Sequence, residues 1–300
     1  MKEIGIIVVN FNGEHLLKEC FDSIFSQTYK NFDVFMIDNN SSDNSLAFIK
    51  EDYPNVKIIS LKNNIGYGPA DNLVIKKLLK KRYKYILTLN NDIKFSKDFI
   101  KKQIEIMKKD SQIGVLGPLI YNYPKRGKKN SVYESYGMMD FKVGAPKSIK
   151  DINISRTYEV DSLIGCSFLV RREVYEKIGF FDEEFFMYWD DYDFLQRVKK
   201  AGFKIKFVPK IKLYHFFGAS SDNTSFPKKY YLTRNRFMLV KKHGKLNEKL
   251  IFYMYFALKL PYTLLTQKNM RNIIFILTGV FDFIIGRKGK RTNFYFFKTL

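Results

Sequence analysis

The chain has 300 residues, 46% hydrophobic and 17% aromatic, which is enough apolar material for a sizeable core and excludes a disordered protein. Its formal charge of +22 points to a polyanionic partner, for which nucleic acid, an anionic membrane surface and phosphorylated ligands all qualify. Lysine outnumbers arginine 41 to 11, so a general lysine bias stands beside specific anion binding as the origin of that charge. Only Cys20 and Cys166 occur, too few for a disulfide framework, and Met1-Lys2-Glu3-Ile4 enters an apolar segment without a signal-peptide pattern. Both observations predict a reducing, cytoplasmic location.

Lys2 to Asn10 predicts a buried strand through Ile4, Ile6, Ile7, Val8 and Val9, and Glu14 to Ser26 follows with apolar residues at helical spacing. The exchange repeats through the first half. Phe32 to Ile37 is a strand, and Ser42-Asp43 caps a helix through Leu46 to Ile49. Val56 to Leu61 precedes a helix from Asp71 to Lys80, and Tyr85 to Leu89 precedes one from Lys97 to Lys108. Such alternation predicts an α/β fold with a mostly parallel sheet flanked by helices. Tyr123 to Tyr158, containing Lys125-Arg126-Gly127-Lys128-Lys129, lacks a regular pattern and reads as a mobile acceptor loop. A strand from Ser167 to Val170 leads to Arg171-Arg172, which open a solvated helix unless one of them reaches a diphosphate.

In a parallel sheet, ligands bind beyond the carboxyl ends of the strands. The residues there are all polar: Asn10-Phe11-Asn12-Gly13, Asp38-Asn39-Asn40-Ser41, Asn63-Asn64-Ile65-Gly66 and Asn90-Asn91-Asp92. Any one of these loops is ordinary turn chemistry, but four on one edge predict a site. No GxGxxG or GxxxxGK[ST] follows the first strand, which argues against a dinucleotide-binding or P-loop protein. Gly66-Tyr67-Gly68 would let the backbone approach a ligand closely.

Trp189-Asp190-Asp191-Tyr192-Asp193 sets carboxylates directly after Phe185, Phe186, Met187 and Tyr188, and Leu213-Tyr214-His215-Phe216-Phe217-Gly218-Ala219-Ser220 follows. Acids crowded into an aromatic surround repel one another and lose solvation, so such a cluster persists because it binds a cation or transfers protons. It reads as an active site.

The segments IIVVNFNGEHLLKECFDSIFSQ, VFMIDNNSSDNS, NNIGYGPADN, YILTLNNDIKF, the run from Ile164 through the acid cluster to Pro209, and LYHFFGAS carry a resemblance through their order and spacing. Together, from about Ile4 to His243, they resemble the inverting glycosyltransferases of family 2, which have the GT-A fold, in their rhamnosyltransferase-like and galactofuranosyltransferase-like branch. The resemblance implies transfer of a sugar from a dTDP- or UDP-linked donor to a lipid-linked or growing surface glycan. It implies that Asp38 accepts a hydrogen bond from the pyrimidine, a match between a fixed carboxylate and an imide N–H. Asn10, Asn12 and Asp43 would shape the base and ribose pocket, with Gly66, Asn72, Asn90 and Asn91 completing the nucleotide-sugar site. Asn90-Asn91-Asp92 stands where the family carries its DxD-type motif, so Asp92 and His215 would contact a divalent ion, Mg²⁺ or Mn²⁺, on the donor diphosphate. Asparagine at positions 90 and 91 departs from the acid-rich form and implies modest metal affinity. Gly218 and Ser220 complete an HxxGxS-like pattern with His215. Asp191 matches the catalytic base, with Asp190 as its companion, because an inverting transfer needs one carboxylate to deprotonate the acceptor hydroxyl. Asp193 lies on another face of the helix, and Trp189 reads as a stacking floor for a sugar or as core packing.

The resemblance divides the chain into a catalytic domain at residues 1–243, with a donor half at 1–118 and an acceptor half at 119–243, and a helical appendage at 244–300. Within the appendage, Leu250 to Leu265 and Ile273 to Ile285 are apolar but interrupted by Lys259, Pro261 and Asp282, so neither predicts a membrane span. From Lys241 onward 12 Lys/Arg face two acids, a pattern that suits helices lying on an anionic leaflet at the inner face of the cell membrane. Packing onto the catalytic domain or onto a second protomer is the alternative. A sugar nucleotidyltransferase would carry a Gly-rich basic loop after its first strand, which is missing here. A nucleic-acid-binding protein gives no reason for the acid cluster.

Overall fold

The computed structural model describes residues 2–123, 131–132, 136–216, 228–266, 269–292 and 294. Strand β1 (Ile4–Asn10) leads into α1 (Glu14–Phe25), and the alternation continues with β2 (Phe32–Asp38), α2 (Ser45–Asp52), β3 (Lys57–Ser60), α3 (Tyr67–Leu79) and β4 (Tyr85–Asn90). A short β5 (Ile93–Phe95), α4 (Phe99–Lys109) and β6 (Ile113–Asn122) follow, then the hairpin β7 (Gly137–Asp140) and β8 (Ala145–Ser148). The chain continues with β9 (Tyr158–Glu159), β10 (Ser167–Arg171), α5 (Arg172–Ile178), α6 (Asp190–Lys200) and β11 (Lys204–His215). Three helices close the chain: α7 (Lys228–His243), α8 (Leu246–Thr266) and α9 (Met270–Ile284).

The main sheet runs β3-β2-β1-β4-β10-β6-β11-β5, with β9 added on β11. β1 pairs in parallel with β2 and β4, β2 with β3, and β6 with β11, while β10 lies antiparallel between β4 and β6. This is the expected mostly parallel sheet. All seven residues of β1 are buried because helices cover both faces, which is why the strand reads as a continuous apolar run. Alternation along it still divides the core: Ile4, Ile6 and Val8 pack with Leu17, Phe21 and Ile24 of α1, and Ile7 and Val9 pack with Val74 and Ile75 of α3.

Register brings the polar loops together. Asn10 stands beside Asp38, Asp38 beside Ser60, and Val9 beside Asn90, so the strand ends form one edge. Helix α3 starts at Tyr67 rather than at Asp71. Its first turn accepts Pro69, whose missing N–H would be unpaired there in any case. Arg171 and Arg172 point away from the loop edge: Arg171 pairs in register with Tyr85 at the start of β4, and its guanidinium donates to the Ile113, Met107 and Asp110 carbonyls. Arg172 donates to the Leu79 and Lys81 carbonyls and to Glu176, so neither arginine is placed to reach a diphosphate.

Among the described residues no helix is long and apolar enough to cross a membrane. The closing helices pack on the preceding elements in a cluster of Phe141, Phe185, Phe237, Leu239, Val240 and Phe252. Asp282 of α9 accepts from Tyr230 of α7 at 2.6 Å and from Arg291 at 2.6 Å, which neutralises the acid that interrupted the apolar segment.

Candidate functional site

At the edge formed by the strand ends a chain of side-chain hydrogen bonds joins three loops. Asn91 donates through Nδ2 to Asn10 Oδ1 at 2.7 Å, and Asn10 Nδ2 donates to Asp38 Oδ1 at 3.3 Å. Asp38 Oδ2 also accepts from the Ser41 N–H at 3.0 Å, and the residue is only 1% exposed. Its carboxylate oxygens keep lone pairs for a further donor. Asn12, held at a left-handed φ of 49°, accepts from the Ser42 N–H at 2.7 Å and so fastens the first loop to the second. Asp43 receives the Glu14 N–H at 3.0 Å and the Ser45 N–H at 3.1 Å, satisfying first-turn donors of both α1 and α2. Burial works to raise its pKa, but these hydrogen bonds outweigh it and hold the carboxyl below its ordinary value. Asp43 is therefore a cap shared by the two helices.

Between this network and the acids lies a polar cluster. His215 Nε2 stands 3.1 Å from Asp92 Oδ1 and 3.2 Å from Asn90 Nδ2, and Tyr67 Oη donates to Asn90 Oδ1 at 2.5 Å. β11 delivers His215 and the turn between β4 and β5 delivers Asp92, whose two strands pair at Ile93 and His215. Among the described residues no group of three His, Cys, Asp or Glu could enclose a metal ion. One carboxylate and one imidazole nevertheless fit a hard divalent ion that takes its other ligands from diphosphate and water. Gly218 and Ser220 of the HxxGxS-like pattern, and Lys125 to Lys129, lie outside the described residues.

The acid cluster rests on a strained approach. Phe186, Tyr188 and Trp189 all have left-handed φ, at 64°, 61° and 71°, immediately before α6. Non-glycine residues hold such values only where their surroundings impose them. Two buried side chains of α7 do so: Asn235 Nδ2 donates to the carbonyls of Phe185, Met187 and Tyr188 at 2.8, 2.8 and 3.0 Å, and Arg234 to those of Glu184 and Phe185. From the donor half, Tyr67 N–H reaches the Phe186 carbonyl at 3.2 Å. Gly66, at φ 100°, permits this approach, since a Cβ there would meet the Phe186 oxygen at 2.1 Å.

That path aims the acids differently. Asp190 and Asp191 are both pushed up by burial. Asp190 is raised to about 6, with the Asp193 charge adding and N–H donors including Gly68 subtracting. Asp191 reaches about 7, because the Asp190 charge adds to burial while hydrogen bonds from Tyr192 and Gly165 N–H oppose it. The Gly165 N–H donates to Asp191 Oδ2 at 3.0 Å and fixes its orientation. Asp193 turns to the other face, where His243 Nε2, Lys242 Nζ and Arg197 Nε lie 2.7, 2.7 and 2.9 Å away. Burial raises it, but those partners prevail and lower it to about 2.

Asn90, His215, Asp190, Asp191, Trp189 and Tyr67 line one cavity of about 410 Å³. Asn72 does not join them: it is buried and bonded through Nδ2 to the Phe181 carbonyl at 2.9 Å and to Glu183 at 3.1 Å, latching α3 to the segment before the acids. Trp189 donates its indole N–H to the Leu232 carbonyl at 3.0 Å and sets its ring against Tyr192 with centroids 5.1 Å apart, so it both packs and forms cavity wall. Sequence reasoning missed Asp71, Arg234 and Asn235. Asp71 lines the cavity at 1% exposure, and burial together with the Asp190 charge raises it well above the usual carboxylate range. Its place in a helix pattern gives no sign of that, and the Arg234 and Asn235 partners lie about 50 residues away in sequence.

Known proteins resemble this chain in sequence and in fold. The sequence is similar to the N-acetylglucosaminyl-diphospho-decaprenol L-rhamnosyltransferase of Mycobacterium tuberculosis, 26% identical over 236 residues, covering 71% of this chain and 75% of the relative. It is similar to the dTDP-rhamnosyl transferase RfbF of Shigella flexneri, 25% identical over 259 residues and 80% of each chain. The fold is similar to that of TarS from S. aureus, with TM-score 0.61 and 17% identity over 96% of this chain and 81% of the other. It also matches the mannosyltransferase PcManGT of Pyrobaculum calidifontis in complex with GDP-Man and Mn2+, with TM-score 0.62 and 12% identity over 96% and 88%. These neighbours have the GT-A fold. A second family model, described as the N-terminal domain of galactosyltransferase, matches residues 149–218, over the acid cluster and His215. The model described as Glycosyl transferase family 2 matches residues 5–179, more than half of the sequence, and the chain belongs to that family.

Proposed function

We propose that the protein is a metal-assisted inverting glycosyltransferase that moves a hexose, rhamnose or galactofuranose among them, from a dTDP- or UDP-sugar to a lipid-linked or growing glycan. The observation that carries this reading is that Asp191, its carboxyl raised by burial, lines the same cavity as Asn90 and His215. The donor diphosphate lies at the Asn90, Asp92 and His215 end, with its base against Asp38 and Asn10. A bound Mg²⁺ or Mn²⁺ would neutralise the charge that grows on the leaving diphosphate, held by Asp92 and His215. Asp191, fixed by the Gly165 N–H, takes the proton of the acceptor hydroxyl on Oδ1 or Oδ2 as that oxygen attacks the anomeric carbon opposite the diphosphate. Asp190, held by the Gly68 N–H at the start of α3, raises the basicity of Asp191 and ties the two halves together.

The names of the relatives support this choice of substrates: one acts on a decaprenol-linked diphosphate and one uses dTDP-rhamnose, while TarS has been seen with UDP-GlcNAc. A lipid-linked acceptor would be met at the inner face of the cell membrane. Replacing Asp191 by Asn tests the reading. Transfer should fall by about 10³-fold or more while nucleotide binding is retained, and a variant that still transfers at near wild-type rate removes Asp191 from the role.

A further inference from the structure

Beside the catalytic cavity lies a second one of about 340 Å³, walled by Leu232 of α7, Phe256 and Leu260 of α8 and Ile276 of α9. Trp189 and Leu232 line both cavities, so the two adjoin across the indole that the Leu232 carbonyl anchors at 3.0 Å. Lys229, Arg236 and Lys259 also line the groove, and none of the described residues lining it is acidic. Lys259 is oriented by Tyr255, whose hydroxyl is 2.8 Å from Nζ. An apolar channel with cations in its wall matches a ligand that has an apolar chain and an anionic group at one end.

A second observation concerns the outside of the same helix. Leu250, Met254, Leu258, Tyr262 and Leu265 recur at helical spacing along α8 and are 57, 65, 80, 66 and 87% exposed. Leu277, Phe281 and Ile284 of α9 are also exposed, at 44, 59 and 72%. An apolar stripe of this extent marks an interaction surface rather than scattered surface leucines. The only acid on α8 is Glu248, beside Lys245 and Lys249. A second copy meeting this stripe would bring another chain of charge +22 up against these lysines. An anionic lipid surface pairs with them.

We propose that the groove between α7, α8 and α9 holds the phosphate and the first apolar units of a membrane-resident lipid phosphate acceptor, with the α8 stripe resting on the bilayer that carries the remainder of the lipid. The inference rests on the glycosyl-transfer reading and adds the site at which the acceptor's lipid stem is bound. Lys229 and Lys259 meet the phosphate, Phe256, Leu260 and Ile276 cover the chain, and Trp189 divides the lipid stem from the reacting sugar.

Trp189 is the sole tryptophan, so its emission reports on the groove in the full-length protein. The experiment titrates farnesyl phosphate and, separately, farnesol into the wild type and into a Lys229→Glu/Lys259→Glu double variant, and measures UDP and dTDP binding by each protein. Farnesyl phosphate should bind the wild type and perturb Trp189, with the double variant at least about tenfold weaker and nucleotide binding unchanged. Leu258→Glu, on the exposed stripe, should abolish co-sedimentation with phosphatidylglycerol vesicles without changing nucleotide binding. Equal binding of farnesol and farnesyl phosphate, or of farnesyl phosphate to both proteins, overturns the groove assignment. So does a stable dimer that Leu258→Glu converts to monomer. Nucleotide binding without farnesyl phosphate binding overturns this inference alone, and absence of both overturns the glycosyl-transfer reading with it.

Discussion

Asp191→Asn separates the cost of a buried charge from its chemical use. Burial and the Asp190 charge move the Asp191 carboxyl from 3.8 to about 7. Three pH units at about 1.4 kcal/mol each bound the preference for the neutral form at about 4 kcal/mol, and because Asp190 titrates together with Asp191 about 2 kcal/mol is assigned to this carboxyl. The folded state binds the proton more tightly than the unfolded chain, so the contribution of this group to stability is complete below pH 4 and is lost as pH rises through 7. Asparagine carries no charge at any pH. The variant should therefore exceed the wild type by about 2 kcal/mol at pH 8, a rise of roughly 4–8 °C in Tm, with the gap shrinking steadily towards pH 4. Thermal unfolding followed by circular dichroism between pH 5 and 8 measures it. A variant less stable than the wild type at pH 8, or a difference independent of pH, would refute the assignment of a strained charge to Asp191.

The same carboxyl sets the rate profile: kcat/KM should fall about tenfold per pH unit below pH 7, and Asp190→Asn should move the inflection downward by removing the neighbouring charge. A flat profile between pH 5 and 7 would assign the proton transfer elsewhere. Gly66→Ala places a Cβ 2.1 Å from the Phe186 carbonyl at a left-handed φ, so a loss of about 2–3 kcal/mol in denaturant unfolding is expected, together with lower activity. His215→Ala should weaken activation by Mn²⁺ in a metal titration of the transfer rate, and an unchanged Mn²⁺ requirement would place the ion away from β11.

The alternation from β1 to β4 was legible because its signals are local. A continuous apolar run in β1, helical spacing in α1 and polar turns after each strand are consequences of a sheet covered on both faces. Strand β6 was hidden by Gly114, Gly117 and Pro118, which break the strand pattern; a Cβ at Gly117 would meet the end of the Leu163 side chain at 2.9 Å, which would have to shift. The early start of α3 was hidden in the same way, since Gly66, Gly68 and Pro69 read as a loop until the approach of Phe186 explains them. Within the site, motif and spacing singled out Asp38, Asp92, Asp190, Asp191 and His215. Asn72 and Asp43 read from the sequence as pocket residues, and the structure adds that Asn72 latches α3 and Asp43 caps α1 and α2. No sequence pattern reveals the clamp of Arg234 and Asn235, because it forms between backbone carbonyls and side chains that only the closed fold brings together.

The most direct test of the account is a calorimetric titration of the protein with UDP, dTDP, GDP and CDP, each with and without Mn²⁺. The account predicts binding of UDP or dTDP that depends on Mn²⁺ and is lost in Asp38→Ala; preference for GDP, or no nucleotide binding under any condition, would contradict it.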